Sequence, residues 1–339
     1  MDPAKLPPLV RRLEAPAATP KVDGKRDLEW DLLPDTPIAR VGDVSAGLQA
    51  RSSAKWLYVL AEVRDPDDDR SDTVTFTVGG KTYTVRREDG HPHGPDTAVQ
   101  KTTGGYRVEA RFPTGPAAVP ATDVAVTVAD ASGGTRTSWT GKVTSTPAVK
   151  LTTAPNRRPV VDGAVDPAWA PAPEIRTATL IQGTSGATAR ARALWSGDTL
   201  YLLAQVADPT LSEQSANPWE QDSVEFFLDP GNGKTRGYGD DDGQYRISFS
   251  GKTSVGGPLD PAAIAGNLTA AAKAVPGGYV IEAAVKLPTI TLRDGALLGF
   301  DVQVNDATGA ARTSAATWSD STGQGYRDTS HWGVLQLRH

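Results

Sequence analysis

Cysteine is absent from the 339-residue chain, which excludes disulfides, thiolate metal sites and any cysteine nucleophile. Methionine occurs once, at Met1, and histidine four times. His91 and His93 sit in a Gly/Pro turn and His331 and His339 are scattered, so neither a haem ligand pair nor a zinc spacing emerges. Long apolar runs are missing too. None approaches the roughly 18 residues of a membrane-spanning helix, and no membrane partner is expected. Basic residues form no stripe, and a net charge of -5 speaks against nucleic acid, which calls for a basic footprint. The first twenty residues lack the apolar stretch of a secretion signal. They read as a Pro/Ala linker, as expected of a segment belonging to a longer chain.

Glycine and proline are plentiful, at 34 and 26 residues, while hydrophobic residues make up 38% and charged residues 22%. Such a composition suits short strands joined by tight turns, and the length suits two average domains. An internal repeat separates them. Val22-Asp23-Gly24 precedes Trp30 as Val161-Asp162-Gly163 precedes Trp169. Trp56–Pro66 matches Thr199–Pro209, the stretch from Gly104 matches that from Gly277, and Ala129–Ser138 matches Asn305–Ser314. Alternation at the strand period places Val74, Phe76 and Val78 on one face, whereas Leu200–Val206 is apolar nearly throughout, as in a strand covered on both faces. The expected architecture is all-β: two tandem antiparallel β-sandwich (jelly-roll-like) domains. They span 21–146 and 159–339, with linkers at 1–20 and 147–158.

The repeat serves as an internal control. Positions that both copies keep should hold the fold, and polar or aromatic positions that one copy lacks are candidates for function. Val224 and Phe226 match Val74 and Phe76, but Trp219 falls opposite Asp69 and Glu225 opposite Thr75. Arg246 falls opposite Thr84, Gln303 opposite Thr127, and Arg312 alone keeps its partner, Arg136. The loop after Trp318, which carries Tyr326, has no clear counterpart. This set suits a pyranose. An aromatic ring covers the sugar's apolar face, while a carboxylate and a guanidinium fork take the rim hydroxyls. Alternation puts Glu225 and Arg246 on the faces away from the core, so on adjacent strands they share one groove. A plain cross-strand ion pair is the competing reading. Trp30, Trp169, Trp195 and Trp332 are assigned to structure. The acidic run Asp240–Asp242 offers Asp241 and Asp242 as calcium ligands, with Asp222 and Asp229 near it in sequence, although such runs are usually solvated.

The second copy resembles carbohydrate-binding modules of family 9, β-sandwich modules attached to secreted xylanases. The likeness is carried by PVVDGAVDPAW from Pro159, NPWEQDSVEFFLD from Asn217, DDDGQYR from Asp240, GFDVQVNDATG from Gly299 and WSD...YRDTSHWG from Trp318. It implies a terminal sugar sandwiched between two rings. Trp219 supplies one, and Tyr326 stands where the family pattern has Trp, with less area to stack. Glu225, Arg246, Gln303 and Arg312 match the polar ring around the reducing-end hydroxyls, and Gln324 stands close to a usual Asn. The resemblance further implies structural calcium away from the sugar and a monomeric, secreted, non-catalytic binder of cellulose or xylan chain ends. A glycoside hydrolase domain would be covalently attached. The first copy looks like a divergent member without the site, suited to a spacer or stabilising role. Two other readings stay open: an adhesion or spacer module that binds no sugar, and a glycoside hydrolase. The latter needs a second carboxylate about 5 to 9.5 Å from the first.

Overall fold

Strands account for 53% of the chain and helix for 5%, as the turn-rich composition requires. The computed structural model describes residues 10–67, 69–89, 96–114, 121–258 and 266–339; Met1, His91 and His93 lie outside these. The chain divides into two units, Met1–Val149 and Lys150–His339.

In the first unit one sheet orders the strands Arg12–Pro16, Arg136–Thr146, Thr122–Ala129, Thr73–Val78 and Lys81–Arg86. The facing sheet runs Thr36–Val41, Val44–Ser52, Trp56–Arg64, Gly105–Pro113 and Thr97–Thr102. Val74, Phe76 and Val78 alternate inward as their period demands and meet Leu57, Val59 and Val108 from the other sheet in a single core.

The second unit repeats this plan with extra strands. One sheet orders Ile175–Arg176, Thr188–Ser196, Thr199–Ala207, Gly278–Lys286 and Leu268–Val275. The other orders Leu151–Pro155, Gly333–Arg338, Leu297–Thr308, Ser223–Asp229, Gly243–Ser248 and Thr253–Gly256. Ala311–Thr317 pairs with Leu297–Thr308 and with Thr179–Gln182. Val224, Phe226, Ile247 and Val302 pack against Leu200, Leu202 and Ile281 to fill the space between the sheets.

Two expectations about segment boundaries are corrected. The stretches 1–20 and 147–158, read as linkers, contain the strands Arg12–Pro16 and Leu151–Pro155. Each lies parallel to the last strand of its unit, Arg136–Thr146 or Gly333–Arg338, so neither sandwich is wholly antiparallel. Proline in Ala15-Pro16 and Ala154-Pro155 suggested a linker, but proline is tolerated at a strand end. Both Ala-Pro pairs precede the Val-Asp-Gly turn by the same number of residues, a repeat signal that a linker reading passes over.

The turn itself explains why Leu200–Val206 is apolar on both faces. Gly163 has φ +81, a left-handed value that glycine adopts without strain. It lets Asp162 and Gly163 both donate their N–H groups to Glu282 Oε2, at 3.0 and 2.9 Å, while Trp169 Nε1 donates to Glu282 Oε1 at 2.8 Å. Trp169 is thereby pinned over Leu194, Tyr201 and Leu203 on the outer face of that sheet. The first unit repeats the arrangement with Glu109 accepting from Asp23, Gly24 and Trp30. Trp195 and Trp332 are buried, as assigned. Replacing Glu282 by Ala leaves three donors without an acceptor, two of them buried, so the second unit should lose about 3 kcal/mol. Denaturant unfolding of the variant measures this, and a loss under about 1 kcal/mol would mean that water replaces the carboxylate.

Candidate functional site

Strand register brings the polar set together. Glu225 lies directly opposite Arg246 on one side and Gln303 on the other, as Thr75 lies opposite Thr84 and Thr127 in the first unit. The repeat alignment at these three positions thus coincides with the pairing. Arg312 departs from it. Arg136 pairs with Ala129, but Asn305, at the position equivalent to Ala129, pairs with Ala315, and Arg312 pairs with Ala307 farther along the hairpin. A bulge between Asp306 and Ala307 shifts the second strand, so Arg136 and Arg312 correspond in sequence and not in place.

Burial turns the Glu225–Arg246 contact into more than a surface ion pair. Glu225 is 1% exposed and Arg246 8%, with Arg246 Nε donating to Glu225 Oε1 at 2.8 Å and Nη1 donating to Ser254 Oγ at 2.9 Å. Asn305 Nδ2 donates to the same Glu225 oxygen at 2.7 Å, and Gln244 Nε2 donates to Oε2. Asn305 Oδ1 in turn accepts from Gln303 Nε2 at 2.7 Å and Arg312 Nη1 at 3.1 Å. Gln182 Oε1 accepts from Arg312 Nε at 2.9 Å. Burial, reinforced by the neighbouring Arg246 charge, lowers the Arg312 guanidinium from its ordinary value although Glu225 opposes the shift. A paired carboxylate and two oriented guanidinium groups therefore form a rigid floor with donors and acceptors fixed in advance.

Two exposed rings stand on the same cavity of about 420 Å³, which is lined by Ile181, Trp219, Glu225, Gln244, Arg246, Gln303, Arg312, Gly323 and Tyr326. Trp219 is 48% exposed and Tyr326 55%. All six residues selected from sequence line it. Trp219 is presented by the short 3-10 turn Pro218–Glu220, where Pro218 supplies a helical φ and Glu220 accepts from Ser215 and Asn217 side chains at 2.6 and 3.0 Å. Tyr326 sits in a loop folded around Asp320, which accepts from Thr322 and Gly325 N–H groups at 2.8 and 2.9 Å. The start of that loop is held in turn by the buried Asp301, which accepts from Ser319 and Asp320 N–H and is pushed up to about 7 by burial. Arg327 lies 5.5 Å from the Tyr326 ring centroid.

Sequence reasoning missed Gln244, Ile181 and Gly323, and the supporting Asn305 and Gln182. Gln244 and Asn305 each stand two residues from a chosen residue, Arg246 and Gln303, so the strand period alone puts them on the same face. Gln182 and Ile181 come from a strand remote in sequence and carried no signal. Gln324, expected near the second ring, is not among the lining residues.

The acidic run falls elsewhere. Asp242 is buried and accepts from Gly239 N–H at 2.6 Å, and with Asp229 it lies in the field of the buried Lys234 ammonium. The Lys234 ammonium itself donates to the Trp332 and Gly333 carbonyls, and Asp241 and Asp242 belong to no group of three carboxylates with ligand atoms within 4.8 Å of one another among the described residues. Among the described residues of this unit, the three carboxylates with ligand atoms within 4.8 Å of one another are Asp208, Asp222 and Asp306. Asp208 Oδ2 and the hydroxyl of Tyr279, both buried there, have no hydrogen-bond partner among the described residues, and no basic side chain among them forms a salt bridge with any of the three. Burial, with the Asp208 and Asp306 charges, pushes Asp222 up to about 7. Hard oxygen ligands, uncompensated charge and orphaned acceptors fit a calcium-like cation. The acids of the run do so less well.

Comparison with known proteins gives the second unit a family. Residues 161–339 match the family described as carbohydrate family 9 binding domain-like, and the chain belongs to that family. An exoglucanase XynX of Acetivibrio thermocellus is 30% identical over 99% of this chain and 34% of its own length. An endo-1,4-beta-xylanase A of Thermotoga neapolitana is 42% identical over 56% of this chain and 18% of its own. The chain thus spans about a third or less of the curated relatives it matches. A family 9 carbohydrate binding module from Caldicellulosiruptor kristjanssonii, solved in complex with cellotriose, is 29% identical with a TM-score of 0.52, covering 56% of this chain and 94% of the module.

If the floor is preorganised by mutual burial, Glu225→Ala strands the Arg246 charge and should destabilise the second unit by about 3–5 kcal/mol. Urea titration of the variant reads this directly. A change near zero would mean that the pair is solvated and the floor mobile.

Proposed function

We propose that the second unit is a non-catalytic module that captures the terminal residue of a plant cell-wall glycan such as cellulose or xylan. One observation carries the reading: a cavity flanked by two exposed rings over a floor of buried, paired charged groups. Trp219 and Tyr326 would cover the two apolar faces of a pyranose, while Gln303, Arg246, Arg312 and Glu225 would meet its hydroxyls with charge-assisted hydrogen bonds. Ring burial supplies affinity, and the fixed fork geometry of the guanidinium groups supplies orientation. Family membership and the cellotriose-bound relative support a sugar ligand over an adhesion or spacer role for this unit. A hydrolase reading finds less support, because Glu225 is the single carboxylate among the residues lining the cavity.

We further propose that the full-length protein is secreted and joins these units to a glycoside hydrolase, as the xylanase and exoglucanase relatives suggest. The first unit is a divergent copy. At the position of the Glu225–Arg246 pair it has a Thr75–Thr84 hydroxyl contact, which offers a sugar neither charge nor ring. One structural calcium is assigned to Asp208, Asp222 and Asp306 in place of Asp241 and Asp242. Its role would be to neutralise three carboxylates and fix the segment between Asp208 and Asp222, which carries Trp219.

Calorimetry with cellobiose and xylobiose tests the site. Binding in the micromolar range corresponds to about -8 kcal/mol; Trp219→Ala should abolish it while circular dichroism stays unchanged. Tyr326→Trp should tighten binding severalfold by adding stacking area. Undiminished heat from the Trp219 variant would refute the site, and release of reducing sugar from xylan would reinstate the hydrolase.

A further inference from the structure

The acid triad of the second unit has a counterpart in the first: Asp65, Asp72 and Asp130, again with ligand atoms within 4.8 Å of one another. The correspondence is residue by residue. Asp65 and Asp208 each donate their N–H to the carbonyl of Gly104 or Gly277, at 3.0 and 2.9 Å. Asp72 and Asp222 accept from the N–H of Ala131 or Ala307 at 3.0 and 2.6 Å. Tyr106 and Tyr279 both point a buried, unpartnered hydroxyl at their triads.

One position differs in charge. Phe249 donates its N–H to the Asp222 carbonyl at 3.2 Å, and Arg87 does the same to Asp72 at 2.8 Å, so the two occupy the same place in the fold. Phe249 packs its ring near Tyr279, with centroids 6.3 Å apart. Arg87 lays its guanidinium over the Tyr106 ring at 4.8 Å and donates Nη1 to Asp72 Oδ2 at 3.1 Å. That ion pair is almost wholly buried, with side-chain exposures of 7% and 0%. Asp130 is also more fully engaged than Asp306. It accepts from Ser132, Gly133 and Thr135 on both oxygens, whereas among the described residues Asp306 accepts on Oδ2 alone, from Ala187.

We infer that Arg87 does for the first triad what a hard divalent cation does for the second, so that the two units differ in their need for the ion. The inference rests on the cation reading of Asp208, Asp222 and Asp306. A dication entering the first triad would meet a guanidinium already bonded to one of its three ligands, and the repulsion between them is strong in a buried site. Among the described residues the second triad has no such group. Exchange of Phe249 for an arginine, or the reverse, is then the change of charge that separates an ion-dependent sandwich from an ion-independent one.

Peptide-resolved hydrogen exchange on the full chain, in EDTA and then in calcium chloride, tests both statements at once. Calcium at a hundred times its dissociation constant should raise global protection of the second unit about a hundredfold and leave that of the first unchanged. Arg87→Phe should give the first unit a calcium response, and Phe249→Arg should remove that of the second. Arg87→Lys, which keeps the charge, should create no response. A response by both wild-type units would overturn the role of Arg87 while leaving the cation reading intact. No response in either unit would overturn the cation reading and the inference together. Should Arg87→Phe fail to fold even in calcium, Phe249→Arg decides: a second unit that stays calcium-dependent sinks the inference.

Discussion

A carboxylate placed where the second sandwich has almost no contact with water governs its architecture around the cavity. Glu225 must find partners for both oxygens, because a buried charge without them costs several kcal/mol. It finds them on two neighbouring strands: Arg246 and Gln244 from one and Asn305 from the other. This requirement fixes more than stability. It orients the guanidinium fork, ties Asn305 to Gln303 and Arg312, and leaves a polar floor whose remaining hydrogen-bonding capacity faces the cavity. Sliding any of these strands by one residue would turn every side chain to the other face and bury the charge in the apolar core. Recognition and register are therefore enforced by the same contact.

The first unit lacks that buried charge, and its strands show the effect. Its inner face keeps Val74, Phe76 and Val126 in the same register, and its Glu109 clip over Trp30 repeats that of Glu282 over Trp169. The outward positions have relaxed to threonines, which favour a strand and need no buried partner. A core is held by many weak contacts and tolerates drift one residue at a time. A charged floor is lost together, since each member leaves its partners unsatisfied.

Buried acids elsewhere obey the same accounting of charge. Asp242 and Asp229 lie near the ammonium of Lys234, which burial lowers to about 8, and Asp72 is paired with Arg87. Among the described residues no basic side chain forms a salt bridge with Asp208, Asp222 or Asp306, and the buried Asp208 Oδ2 has no hydrogen-bond partner. Acid-rich sequence is thus a poor guide to where carboxylates converge. What matters is which carboxylates the fold brings together: among the described residues Asp208, Asp222 and Asp306, scattered along the chain, place ligand atoms within 4.8 Å of one another, and the run Asp240–Asp242, conspicuous in the sequence, does not.

Local pattern and repetition were enough to determine the all-β class, the duplicated plan, the inward faces of the strands and most of the polar side chains that gather at the cavity. Strand alternation is a property of neighbouring residues, and the second copy exposed which outward positions carry chemistry. Contacts between segments far apart in the chain were decided by the tertiary structure alone. Examples are the parallel pairing of Leu151–Pro155 with Gly333–Arg338, the arrival of Gln182 at Arg312, the bulge that separates Arg312 from the place of Arg136, and the convergence of Asp208, Asp222 and Asp306. Each depends on which strands become neighbours in the closed sandwich, and that is settled by how the apolar faces pack, not by any spacing along the chain.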